Sequence, residues 1–174
     1  MMEDSMFTLD NCCKIATVFI ALANILWIIY VFYQNNQKTD EKDERLRKLS
    51  LLKALVLDYN MKAFYVFFAD VSTITNGLKQ GDLSVAQKKD INNFIIERER
   101  QFENDFLDVL LAINGSLYTQ LKNILDGMVD QFTNSIFDPG INLYIEDKYN
   151  DLIESKLVET KREMVKALFS YKGE

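Results

Sequence analysis

The sequence predicts an all-α chain: a single N-terminal transmembrane helix followed by a cytoplasmic antiparallel bundle of about four long helices. Three observations carry that reading. Ile15 to Tyr33 contains no charged residue, and at about 1.5 Å of rise per residue such a helix crosses the roughly 30 Å hydrocarbon core of a bilayer. Downstream, apolar residues recur at steps of three and four in four successive stretches, and none alternates with period two. Glycine and proline number only 6 and 1 in 174 residues, which suits long helices better than turn-rich sheets.

The chain divides into a short extracytoplasmic N-terminus (1–14), the membrane helix (15–33), a charged juxtamembrane segment (34–48) and the helical bundle (49–174). Glu3, Asp4 and Asp10 make the N-terminal flank acidic, and no small-x-small site follows the apolar run. A retained anchor therefore fits better than a cleaved signal peptide. Trp27, Tyr30 and Tyr33 lie toward the far end, and the two tyrosines suit a headgroup boundary. Only Lys14 precedes the run, whereas Lys38, Lys42, Arg45, Arg47 and Lys48 follow it. That asymmetry places the N-terminus outside and the large domain in the cytoplasm, at a cell (inner) membrane. Within the run, Cys13, Thr17, Ala21, Asn24 and Ile28 fall near one line of the helix. Small residues admit a second helix and an asparagine can bond across the contact, so this is the candidate membrane association face.

The first soluble helix is expected from Thr39 or Asp40 to Asn76, with Leu49, Leu52, Val56, Tyr59, Ala63, Phe67 and Ile74 inward and Gly77 as a left-handed cap. From Ala54 to Val71 it is apolar nearly all round. Phe64, Tyr65, Phe67 and Phe68 are accordingly the candidate oligomer interface, unless this helix is central in its own domain. Ser84 and Gln87 match a capping box that opens the second helix, with Ile91, Phe94, Ile95, Phe102, Phe106, Val109, Leu110 and Ile113 along its stripe. Gly115 closes that helix and Ser116 caps the third, which stops at Asp138-Pro139-Gly140. The fourth is expected from about Ile141 to Tyr171, with Ile145, Tyr149, Leu152, Leu157, Met164 and Leu168 inward.

Composition excludes several functions. The chain has no histidine, which removes His-based zinc sites, Ser-His-Asp and Cys-His nucleophiles, and Glu-x-x-His di-iron bundles. A net charge of −6 argues against nucleic acid as a partner. The 2 cysteines, Cys12 and Cys13, are adjacent and cannot staple the distal domain. No cofactor or metal is expected, although the acidic pairs Asp105/Asp108, Asp126/Asp130 and Glu41/Glu44 lie one turn apart, and a metal-dependent hydrolase using Asp105 and Asp108 is the enzymatic reading. Lys88, Lys89 and Arg98 form the candidate anion-binding set, which would suit a sensor of a nucleotide second messenger. The leading expectation is a non-enzymatic, membrane-anchored interaction protein. It would be a homo-oligomeric subunit, scaffold or signal-responsive effector of a bacterial membrane system, in defence or stress response, partnered by the lipid bilayer and by itself or another membrane protein.

Overall fold

A computed structural model describes residues 9–81 and 83–173, with side chains from Ile15 onward apart from Val18 and Ala21. All regular secondary structure among the described residues is helical. The chain falls into two compact units that divide between Glu44 and Arg45, a point that lies within helix α1 (Leu9–Leu51). In the first unit, α1 is long and apolar enough to cross a membrane, with a mean hydropathy of 2.4 over a window none of which is buried.

The second unit contains the core. After the last turns of α1 come a π-helical segment (Leu52–Asn60), α2 (Met61–Thr75) and a 3-10 turn (Asn76–Lys79). Next follow α3 (Val85–Phe102), a second π segment (Glu103–Leu107) and the short α4 (Asp108–Leu111). Helix α5 spans Gly115–Phe137; α6 (Glu146–Tyr149), a third π segment (Asn150–Glu154) and α7 (Ser155–Ser170) complete the order. Helix α2 packs on α3, α3 on α5 and α5 on α7, while α7 returns to α2.

Phenylalanines fill the space between α2 and α3. Phe67 stacks on Phe102 at 4.4 Å between centroids, Phe102 stacks on Phe106 at 4.9 Å, and Phe64 lies 4.9 Å from Phe68 and 5.5 Å from Phe106. Such offset and tilted pairs add to the transfer free energy of the buried rings. Phe64 and Phe106 are fully buried.

Local signals in the sequence set the helix ends. The Gln87 N–H donates to Ser84 Oγ at 3.3 Å, and the Ser84 N–H donates to Gln87 Oε1 at 2.9 Å, which completes the expected capping box. At the expected turn, Asp138 Oδ1 accepts the Gly140 N–H at 2.7 Å. Two glycine expectations are corrected. Gly77 is not left-handed: it lies in the 3-10 turn, where an added Cβ would stand 3.3 Å from Ile91 Cδ1, a tight contact that the isoleucine tip would have to yield to. Gly115 begins α5 instead of closing the preceding helix, and the cap is Asn114, whose Oδ1 accepts the Leu117 N–H at 2.8 Å.

The three π segments also redirect side chains. Inside a π turn the spacing departs from the 3.6 period, so a position read with uninterrupted α-helical steps can leave the core face there, although Phe67, Leu110 and Leu157 beyond the three segments are buried as read. Tyr59 thus points outward, and Ile153 is buried where Leu152 was expected. Side-chain amides serve carbonyls inside two of these segments: Asn60 Nδ2 donates to Leu55 O at 2.9 Å and Gln131 Nε2 to Leu152 O at 3.2 Å. The last helix starts at Glu146, not Ile141, which leaves Ile145 exposed and buries Leu143 in the preceding turn.

Phe64→Ala is expected to destabilise the helical unit by about 3 to 5 kcal/mol, whereas Tyr65→Ala, at an exposed neighbour, should cost less than about 1 kcal/mol. Denaturant melts of the two variants, followed by circular dichroism, would check the difference.

Candidate functional site

Helical spacing creates the main concentration of charge between α3 and α5. Glu99 and Glu103 are one turn apart, and Lys122 and Asp126 are one turn apart on the facing helix. Glu99, Glu103 and Asp126 each offer a carboxylate oxygen, and these atoms all lie within 4.8 Å of one another. All three side chains are half-buried. Lys122 Nζ hydrogen-bonds to Glu103 Oε1 and, at 3.1 Å, to Asp126 Oδ1. Asp130 adds a further negative charge from α5.

Three carboxylates against one ammonium leave an excess of negative charge in a partly desolvated place. Burial pushes the Glu99 carboxyl up to about 7, reinforced by Asp126, Glu103 and Asp130 and opposed by Lys122. The hydrogen bond to Glu103 is the largest influence on Lys122 and, with that to Asp126, keeps its ammonium charged above the usual lysine range, although burial works the other way. Chemically the arrangement can hold a proton near neutrality, or offer hard oxygen ligands to a divalent cation. As observed, Lys122 is the cation that engages it.

A second polar group joins the end of α2 to α6. Thr75 Oγ1 lies 3.1 Å from Tyr149 Oη and donates to Val71 O at 2.9 Å. Lys79 Nζ stands 4.3 Å over the Tyr149 ring. Burial raises the Tyr149 phenol above its ordinary range, so it stays protonated and serves as a structural hydrogen-bonding group.

The residues singled out from the sequence have different fates. Phe64, Phe67 and Phe68 are buried in the chain's own core; Tyr65 and the adjacent Val66 are exposed, with Lys161 Nζ 4.9 Å from the Tyr65 centroid. Lys88 and Lys89 are the fourth and fifth residues of α3, whereas Arg98 is about 14 Å along the same helix at ~1.5 Å per residue. Arg98 pairs there with Asp70 at 3.5 Å and donates to Gln101 Oε1 at 2.6 Å. The three cations therefore do not converge. Asp105 and Asp108 are exposed, and Asp126 converges with Glu99 and Glu103 instead of with Asp130 alone. On α1, Thr17, Asn24 and Ile28 are exposed, while the side chains of Cys13 and Ala21 lie outside the described residues.

Comparison with protein-family models, with curated proteins and with solved structures gives no match. Chemistry therefore has to speak for the site. Glu99 and Glu103 escaped sequence reasoning because they sit in a charged run (Glu97 to Arg100, then Glu103 to Asp105) that reads as a solvated surface. The available signal was the buried face of α3, where Asn92, Ile95 and Phe102 are enclosed and Glu99 falls between the last two.

Because Glu99 is raised from 4.5 to about 7, the folded chain binds more protons than the unfolded one between those values. Its contribution to stability is then present at low pH and is lost as pH rises through about 7. Glu99→Gln should flatten this dependence and be more stable than the parent at about pH 8, by roughly 1 to 2 kcal/mol after allowance for solvent screening. Urea melts across that pH range would check it, and parallel curves for parent and variant would contradict it.

Proposed function

We propose that this chain is a membrane-anchored helical interaction protein, a homo-oligomeric subunit or signal-responsive effector. Its apolar stretch from Ile15 to Tyr33 would cross a cell membrane with the N-terminus outside. The helical unit from Arg45 onward would lie in the cytoplasm as an antiparallel bundle. One observation carries the reading: Phe19, Leu26, Trp27, Ile28 and Phe32 are each at least 65% exposed. A core helix of a water-soluble protein buries such residues, and lipid is the environment in which they need no protein cover. The bundle arrangement is supported by the sequence of contacts from α2 to α3, α5, α7 and back to α2, which is what short connections between long helices produce.

Assembly is the second part of the proposal. Thr17, Asn24 and Ile28 are exposed on α1, and a polar residue inside hydrocarbon is best accommodated by bonding to a neighbouring helix. An interaction role is favoured over catalysis because the charged cluster between α3 and α5 already contains its own counter-ion in Lys122. The protein is expected to resist alkaline extraction from membranes and to run as a defined oligomer in mild detergent. Asn24→Leu should shift that oligomer toward monomer by several-fold, since such a bond is worth about 0.6 to 2 kcal/mol. Light scattering of parent and variant would check it; a parent that is strictly monomeric would refute the assembly claim.

A further inference from the structure

The segment that follows α7 makes a contact that neither the core nor the charged cluster requires. Helix α7 stops at Ser170, and Tyr171 adopts an extended conformation with ψ of 129°. The chain then runs through Lys172 to Gly173, which is buried and has φ of +82°. A Cβ at Gly173 would stand 2.6 Å from Arg45 O and 3.1 Å from Arg45 C and Cα. These are backbone atoms of a helix, which cannot swing aside as a side chain can. The position thus excludes other residues twice, by its left-handed conformation and by the absence of room.

Arg45 is the first residue of the second unit. From Arg45 to Leu51 every residue is exposed or half-buried, and the first enclosed core residue is Leu52. These turns lie inside a helix that continues on both sides, yet they contribute little apolar burial, and stretches with few buried apolar contacts open at low cost. We propose that Tyr171 to Gly173 is a strap that holds residues 45–51 of α1 on the helical body, with Gly173 as its seat. Tyr171 packs against the core and fixes one end of the strap, and Gly173 lies flat on the Arg45 backbone at the other. Releasing the strap frees the first turns of the unit without dismantling the aromatic core, so it is a device for loosening residues 45–51 independently of the rest of the unit.

Hydrogen–deuterium exchange of the full chain in detergent micelles tests this. In Gly173→Ala, amides of residues 45–51 should exchange at least about tenfold faster than in the parent, with residues 121–132 of α5 unchanged. Gly81→Ala is the control, because a Cβ there meets nothing within 4 Å, and it should leave residues 45–51 as in the parent. A chain ending after Ser170 should reproduce the local acceleration and provides the test should Gly173→Ala fail to fold. Unchanged exchange at 45–51 in the truncated chain would overturn the proposal, as would an acceleration spread equally over α5.

Discussion

Each large apolar side chain left in water forgoes about 1.5 to 3 kcal/mol of burial, and α1 leaves Phe19, Ile20, Leu26, Trp27, Ile28 and Phe32 bare together. That surface is the constraint on which the proposed biology depends. The second unit does the opposite with the same kinds of residue, enclosing Phe64, Phe102, Phe106 and Phe132 among its helices. One chain thus carries two apolar surfaces, one satisfied by its own side chains and one that needs an apolar environment from elsewhere. In the proposed reading a lipid bilayer would supply that environment over a length matching Ile15 to Tyr33.

Inside the helical unit, packing and polar bonding divide the work. The aromatic layer joins α2 to α3 and its π segment, and the polar contacts join neighbouring elements around it. Thr133 Oγ1 donates to Asn92 Oδ1 at 2.9 Å and Lys122 binds Glu103, both between α5 and the α3 stretch, while Tyr149 meets Thr75 at the end of α2. Enclosed polar groups are costly unless paired, so these contacts discriminate among registers that apolar packing alone would tolerate. The three carboxylates beside Lys122 are an exception in degree, since one ammonium balances only part of their charge, and the raised affinity of Glu99 for a proton follows from the excess.

What the sequence revealed was local. The Ser84–Gln87 box and the Asp138-Pro139-Gly140 turn depend on residues a few positions apart, and both formed as read. The stripe expected of α5, Leu117, Leu121, Ile124, Leu125, Met128, Phe132 and Ile136, was nearly as legible because nothing interrupts its period, with Ile124 alone only partly buried. Elsewhere the period is interrupted. Inside the π segments Leu52–Asn60 and Asn150–Glu154 the local spacing departs from the α-helical period, so Tyr59 and Leu152 were misplaced. The cluster at Glu99, Glu103 and Asp126 was illegible for a different reason: it exists only when α3 and α5 meet. The aromatic run of α2 was legible as apolar all round, but which rings face the core depends on where α3 lies.

The central claim is that residues 15–33 cross a membrane with the helical unit on the cytoplasmic side. Thiol labelling in intact cells with a membrane-impermeant maleimide tests it most directly, using a chain with Cys12 and Cys13 changed to serine and a single new cysteine. With Ser5→Cys the chain should be labelled in intact cells; with Glu159→Cys, at an exposed position on α7, it should be labelled only after the membrane is opened. Labelling of Glu159→Cys in intact cells, or recovery of the protein in the soluble fraction, would contradict the claim.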